Sequence, residues 1–302
     1  MGDADVTDLV ARGQECLRAR RYDESLARYQ QAAVRDPGNL AAWDGMGEAL
    51  FSLARYREGL EATERALTLS PHDAQALSNK GAMLLVLGHR PEEALDWVQR
   101  ALALDPGNVD ARLNRCSVLI ALKRHQEALA EAEQVIAAAP DNAAAHEVKA
   151  TALFGLKRYD EALAAAAEVI ARNPQQAAAQ LGKARPLMRL KRHDEALAVY
   201  DRIIQLDPAG HRGYLGRGSA LHGLGRYAEA LDAFEQAQHY APRNHWVASA
   251  QFVTLWRSHR YGTALRALWH AWRATGSPGK SESGLAEAVT PRDHALGGGG
   301  WG

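Results

Sequence analysis

The sequence predicts an all-α protein, a solenoid of antiparallel helix-turn-helix repeats. Three observations predict it. Prolines recur at Pro37, Pro71, Pro106, Pro140, Pro174, Pro208 and Pro242, in steps of 34 or 35 residues. Small residues recur in phase with them, at Gly13, Gly47, Gly81, Cys116, Ala150, Ala184 and Gly218, and again at Ser25, Gly59, Ala94, Ala128, Ala162, Ala196 and Ala230. The composition is rich in Ala, Leu, Arg and Glu and poor in β-branched residues, which suits helices.

The segment from Gly38 to Pro71 is the prototype. Trp43, Gly47 and Leu50 follow i, i+4, i+7 spacing, one face of a first helix, A. A turn at Leu53-Ala54-Arg55-Tyr56 follows. Gly59, Leu60, Thr63, Ala66 and Leu67 form the stripe of a second helix, B, and Pro71 closes the unit. Such a pair cannot bury its apolar faces alone and needs a neighbour on each side. The repeats run 6–39, 40–73, 74–108, 109–142, 143–176, 177–210 and 211–244, with a degenerate capping repeat over 245–278 and a Gly/Ser-rich, disordered tail over 279–302.

Phase matters as much as period. The 34-residue step with its Trp, Gly, Tyr, Ala and Pro positions resembles the tetratricopeptide repeat (TPR), with repeat 2 (Trp43, Gly47, Tyr56, Ala66, Pro71) and repeat 7 (Tyr214, Gly218, Tyr227, Ala230, Phe234, Ala237, Pro242) the fullest matches. The resemblance covers about residues 6–275. It implies a right-handed superhelix, and a scaffold or adaptor that is not an enzyme and that binds a peptide or partner helix in a concave groove lined by the A helices. The alternative is the substrate-recruiting or regulatory portion of an enzyme complex whose catalytic domain lies in another chain.

Several features refine that frame. Repeat 3 carries one extra residue in its turn, Gly88-His89-Arg90-Pro91. Pro186 falls inside helix A of repeat 6, where a kink is expected at a cost of roughly 3 kcal/mol. Trp246, Trp256, Trp269 and Trp272 crowd the last repeat, as a cap or as a partner surface. Cys16 and Cys116 stand three repeats apart at positions otherwise apolar or small, so both are expected as buried free thiols in a reducing compartment, the cytoplasm. No signal peptide or apolar run of membrane-spanning length is visible, and no membrane partner is expected.

Net charge is zero, which argues against a general nucleic-acid binder. The zero conceals an asymmetry. Residues 1–176 hold 20 Lys and Arg against 26 Asp and Glu, and residues 177–302 hold 16 against 10. An acidic front meeting a basic back gives a route to weak head-to-tail self-association. The seventh position is cationic in most repeats (Arg12, Lys80, Arg115, Lys149, Lys183, Arg217), and is read as aliphatic stems packed between helices with snorkelling heads.

No nucleophile elbow, P-loop, dinucleotide turn or metal-ligand spacing is present, so no catalytic residue, metal or cofactor is expected. The groove residues implied by the resemblance are Asp44, Glu48, Asn79, Asp110, Leu113, Asn114, Glu147, Phe154, Arg185, Arg189, Arg212 and Trp256. Asn79 and Asn114 share the sixth position, where related solenoids use an amide to hold a ligand backbone. The acids replace the lysines of the chaperone-tail clamp, so a C-terminal carboxylate is not the expected ligand there. A ligand lying with its basic part over the acidic half is.

Overall fold

The structure is a computed structural model that describes residues 5–88, 91–242 and 244–263. Among these residues it is all-α. The helices are α1 (Val6–Arg18), α2 (Tyr22–Arg35), α3 (Leu40–Ser52), α4 (Tyr56–Leu69), α5 (Ala74–Val86), α6 (Pro91–Leu104), α7 (Val109–Ala121) and α8 (His125–Ala138). They continue as α9 (Ala143–Gly155), α10 (Tyr159–Arg172), α11 (Ala177–Arg189), α12 (His193–Leu206), α13 (His211–Gly223), α14 (Tyr227–Tyr240) and α15 (His245–Arg257). Odd numbers are A helices and even numbers B helices. Trp269, Trp272, the second helix of the last repeat, the 279–302 tail and the inserted His89 and Arg90 lie outside the described residues.

Local chemistry sets each boundary. An Asn or Asp at the last position of a repeat caps the next A helix: the side chains of Asn39, Asp73, Asn108 and Asn142 accept the amide hydrogen three residues on, at 2.8 to 3.0 Å. The A helix ends in a turn whose amides fold back on its last carbonyls. In repeat 2, Ala54 donates to the Phe51 carbonyl at 3.0 Å and Arg55 to the Leu50 carbonyl at 2.9 Å, a Schellman arrangement. This turn forces one residue per repeat into left-handed backbone. Glycine takes that place only at Gly88 and Gly225; elsewhere it is Arg20, Ala54, Lys123, Lys157, Lys191 and His259, with φ between 57° and 62°. After helix B, Asp36 and Asp105 accept from the glycine amides two residues on, each at 3.0 Å, which shapes the link to the next repeat.

A second ladder stands at the start of the B helices. Arg55, Arg124, Arg158, Arg192 and Arg226 each reach forward three residues and bind both oxygens of Glu58, Glu127, Glu161, Glu195 and Glu229 at 2.5 to 2.8 Å. These pairs are open to water, so each contributes little to stability.

The chain divides into two compact units, Met1–Leu156 and Lys157–Gly302. In the first, successive A helices touch (α1–α3, α3–α5, α5–α7, α7–α9), while among the described residues successive B helices do not reach one another to a comparable degree. The A layer therefore lies on the inside of the curve. In the second unit, α13 and α15 touch in the same way, whereas α11 and α13 do not reach one another to that degree.

Packing across repeats turns on the twenty-fourth position of each repeat, counted past the insertion in repeat 3. Tyr29, Thr63, Val98, Ala132, Ala166, Tyr200 and Phe234 are all buried. The residue faces the small eighth position of its own A helix: a Cβ on Gly13 would meet Tyr29 at 2.9 Å, one on Gly47 would meet Thr63 at 2.7 Å, and one on Gly218 would meet Phe234 at 2.5 Å. Small residues at that position are thus required by contact. Around these points the clusters form, such as Leu26, Ala49, Leu50 and Ala62 in unit 1, and Leu215, Leu221, Phe234, Val247 and Ala250 in unit 2. Cys16 and Cys116 are buried free thiols. Helix α11 runs unbroken from Ala177 to Arg189 with the buried Pro186 inside it.

Candidate functional site

The inner face of unit 1 is built from α3, α5, α7 and α9. Asp44 and Glu48 lie one turn apart on α3, Asn79 on α5, Asp110, Leu113 and Asn114 on α7, and Glu147 and Phe154 on α9. Asp44 is half-buried, and its Oδ1 has no hydrogen-bond partner. Burial, then Asp73, then Glu48 push its carboxyl up to about 7. Glu48 is open to water, yet the groove walls and then Asp110 hold its carboxyl above the usual carboxylate range. That α3 feels α7 across an intervening repeat is what a curved inner face produces. Burial raises Glu147 as well.

The two amides differ. Asn79 accepts from Gln75 Nε2 at 3.1 Å through Oδ1, and its Nδ2 is shielded from water with no partner. Asn114 donates through Nδ2 to the buried Ser78 hydroxyl at 2.9 Å and so ties α7 to α5. Ser78 is buried, and a hydroxyl is tolerated there because Asn114 satisfies it.

In unit 2 the A helices carry four of the arginines in question. Arg185 and Arg189 lie on α11, Arg212 on α13, and Arg257 with Trp256 on α15. Burial draws the Arg185 guanidinium below its ordinary value, with Arg189 adding to the effect. Arg189 and Arg212 are exposed. His222 on α13 is half-buried near Arg257, with Nδ1 2.9 Å from Thr254 Oγ1 and its ring 5.4 Å from that of Tyr227. Leu215 on α13 is buried in the cluster that holds Phe234. Trp256 remains 38% exposed and meets the Tyr261 ring edge-on at 4.8 Å.

The seventh-position cations do not make a phosphate ladder. Lys80 pairs with Glu64 at 3.0 Å, Arg217 with Asp201 at 2.9 Å, and Arg115 with the buried Glu131. Their stems pack and their heads are neutralised by the preceding or own B helix.

One recurrent role escaped the sequence. The fourth residue of helix A reaches back six residues to a proline carbonyl: Trp43 Nε1 to Pro37 at 2.9 Å, Arg112 Nε to Pro106 at 3.1 Å, and the Tyr214 hydroxyl to Pro208 at 3.1 Å, with His146 Nε2 2.8 Å from the Pro140 carbonyl. Four side-chain types do one job, so no residue pattern announces it. The Arg–Glu ladder did have a signal, Arg-x-x-Glu in constant phase with the prolines.

Among the described residues no group of three or more His, Cys, Asp or Glu side chains could hold a metal ion, and no helix is long and apolar enough to cross a membrane.

Comparison with known proteins agrees with this architecture. A tetratricopeptide repeat model matches residues 10–53, 45–109, 148–211 and 181–245, and a second matches 85–152. The chain is 24% identical over 99 residues to Hsp70-Hsp90 organizing protein 3 of Arabidopsis thaliana, covering 33% of this chain and 18% of that protein. It is 25% identical over 111 residues to U-box domain-containing protein 70 of Oryza sativa subsp. japonica, covering 36% and 14%. The matched region therefore spans less than a fifth of either relative. Among solved structures, a tetratricopeptide repeat protein from Parabacteroides merdae superposes with a TM-score of 0.62 at 17% identity, over 83% of this chain and 98% of that one. A thermophilic TPR protein of Thermus thermophilus does so with a TM-score of 0.52 at 22% identity, over 64% and 98%. On the repeat models, which together cover most of its length, the chain belongs to the tetratricopeptide repeat family.

Proposed function

We propose that this protein is a non-enzymatic interaction module that holds an extended peptide or a partner helix along the inner faces of its A helices. The observation that carries the reading is a contrast. The arginine–glutamate ladder and the seventh-position Lys80, Arg115 and Arg217 are paired within the fold. On the A helices of unit 1, which touch in series, Glu48 and Asp110 are exposed and take no ion pair among the described residues. Exposed polar groups along one layer of a finished scaffold are where a partner forms new hydrogen bonds and ion pairs. The partner relationships named for the organizing-protein relatives point to the same class of activity.

The test is capture from cell extract with the wild-type chain and a Glu48→Gln/Asn79→Ala/Asp110→Ala variant. Asn114 is spared because its loss would orphan the Ser78 hydroxyl. With matched thermal melts, a protein captured by the wild type and lost from the variant supports the inner-face reading. Equal capture by both moves the binding surface elsewhere.

A further inference from the structure

The other layer of unit 1 carries an open cleft of about 620 Å³ between the B helices α2 and α4. Its floor is apolar: Trp43 and Met46 of α3 are half-buried, and Leu50 is buried. A regularity of the fold explains why the cleft is open. The seventh position of repeats 1 to 7 is Arg12, Met46, Lys80, Arg115, Lys149, Lys183 and Arg217, so Met46 alone carries no charge. Lys80 spans the next repeat, with Nζ 3.0 Å from Glu64 on α4 and 4.4 Å from the centre of the Trp97 ring on α6. Arg217 meets Asp201 on α12 at 2.9 Å, and Arg115 meets Glu131 on α8. These partners stand at the twenty-third or twenty-fifth position of a repeat. In repeat 2 the equivalent residues are Gln30 and Ala62, and both line the cleft. The cation and both of its counterparts are thus replaced together. A thioether, an amide and a methyl leave open what a long cationic side chain crosses elsewhere.

The surroundings still suit a cation. The α4 wall carries Glu58, Glu61 and Glu64 against one guanidinium, Arg65. Arg55 already holds Glu58, and Lys80 holds Glu64. Glu61 is exposed and takes no ion pair among the described residues. Trp43 is fixed by its bond from Nε1 to the Pro37 carbonyl at 2.9 Å, and its indole lines the floor. A lysine or arginine takes an apolar floor and an aromatic ring for its stem and head, and a carboxylate for its charge. Lys80 already makes that combination inside this fold, with Trp97 and Glu64. The wall from Glu58 to Thr68 is about 15 Å long at about 1.5 Å per residue, which matches roughly three turns of a helix laid along it. Val34, one turn past Gln30 on the same face of α2, is 81% exposed and extends that edge with an apolar side chain.

We infer that the cleft between α2 and α4 docks a basic helix of a partner protein. One arginine or lysine of that helix takes the place that a seventh-position cation fills in other repeats, with its stem on Trp43 and Met46 and its head at Glu61. The site lies on the B helices and does not rest on the inner-face reading.

The probe is a fluorescein-labelled, alanine-based helix of about 18 residues with arginine at every fourth position, followed by fluorescence anisotropy with the full chain. Counterparts carry glutamine or glutamate in place of arginine. The wild type is expected to bind the arginine helix at least tenfold more tightly than either counterpart, and more weakly as salt rises from about 50 to about 200 mM. Met46→Arg supplies the chain's own cation and is expected to weaken binding at least tenfold. Glu61→Lys, at an exposed site where the fold is not at risk, is expected to do the same, and matched thermal melts separate blocking from unfolding. Equal affinity for the glutamine helix, no binding of the arginine helix, or binding that either folded variant leaves untouched overturns the inference. If the arginine helix is lost with Glu48→Gln/Asn79→Ala/Asp110→Ala and kept with Met46→Arg, the cations seat on the inner face and the cleft is not their site.

Discussion

The ring of Tyr29, on α2, lies against Gly45, on the A helix of the next repeat, so closely that a Cβ on residue 45 would collide with the ring itself. Tyr200 and Gly216 repeat the relationship in unit 2. The same helical register at Gly182 faces only the Ala166 methyl, 3.8 Å from where a Cβ would stand. The sixth position of helix A is therefore chosen by the twenty-fourth position of the repeat before it.

Gly45→Ala and Gly182→Ala consequently differ in sign. Alanine gains roughly 1 kcal/mol over glycine in a helix interior. At Gly182 nothing opposes that gain, and a rise in stability of about 0.5–1 kcal/mol is expected. At Gly45 the Tyr29 ring must move, and overpacking of this kind costs roughly 1–3 kcal/mol, which outweighs the gain. Urea denaturation of the two variants decides it. Equal shifts would sink the packing account, and Tyr29→Thr should restore the loss in the Gly45→Ala background.

The left-handed turn gives a second test. Lys191 holds φ at 58° where Gly225 serves in the next repeat. Left-handed backbone costs a β-carbon residue roughly 1–2 kcal/mol, part of which glycine forfeits through its freer unfolded chain. Lys191→Gly is expected to stabilise by about 0.5–1 kcal/mol, and Gly225→Ala to destabilise by about 1 kcal/mol although nothing lies within 4 Å of its Cβ position. Melting temperatures that move the other way would remove strain at this turn as the cause.

Helix caps supply a third. Asn39, Asp73, Asn108 and Asn142 cap their A helices through the side chain, and Gln176 does not. Its backbone is already extended, with φ −91° and ψ 114°. Gln176→Asn places a shorter amide where it reaches the Ala179 amide, which now donates to the Gln176 carbonyl at 3.1 Å, and is expected to add about 0.5 kcal/mol. No change in the denaturation midpoint would show that the α11 start is capped in another way.

The repeat and its helices were legible because proline, the small positions and the apolar stripes obey one period. Packing at the eighth position was legible too, since a small residue in constant phase has few other uses. The inner-face residues were legible as positions only. Whether Asn114 is free or bound to Ser78, and whether residue 45 is a gap or a seat for Tyr29, depends on side chains one repeat away, and a single period does not encode such pairs. The proline-carbonyl contact was illegible because Trp, Arg, His and Tyr share only a donor at the right reach.

Asp44 makes stability depend on pH in unit 1. Its carboxyl lies at about 7 in the folded chain against 3.8 ordinarily. A raised folded value means that the native state favours the proton, so this contribution is full below pH 3.8 and is lost as pH rises towards 7. Asp44→Asn, neutral throughout, is expected to stabilise the chain at about pH 8 on the order of 1–2 kcal/mol after solvent screening, and to have little effect at about pH 4. Denaturation at both pH values checks it, and a pH-independent difference would sink the titration as its source.

His222 gives the opposite slope in unit 2. Burial first, then Arg257 and His193, hold its imidazole down to about 4 against an ordinary 6.5. The folded ring stays neutral where the unfolded one takes a proton, so stability is full above pH 6.5 and falls as pH drops to 4. The Thr254 hydroxyl, which also donates to the Ala250 carbonyl at 2.8 Å, leaves the neutral ring a polar partner at Nδ1. His222→Gln keeps a neutral polar group, and is expected to lower stability at about pH 7.5 by about 1 kcal/mol through lost contact with Tyr227 while flattening the decline between about pH 6.5 and 4. Stability of the wild type and the variant followed across that window by guanidinium denaturation separates the two effects. Parallel curves would assign the acid sensitivity to another group, and a curve for His222→Gln that stays level while the wild type falls assigns it to this ring.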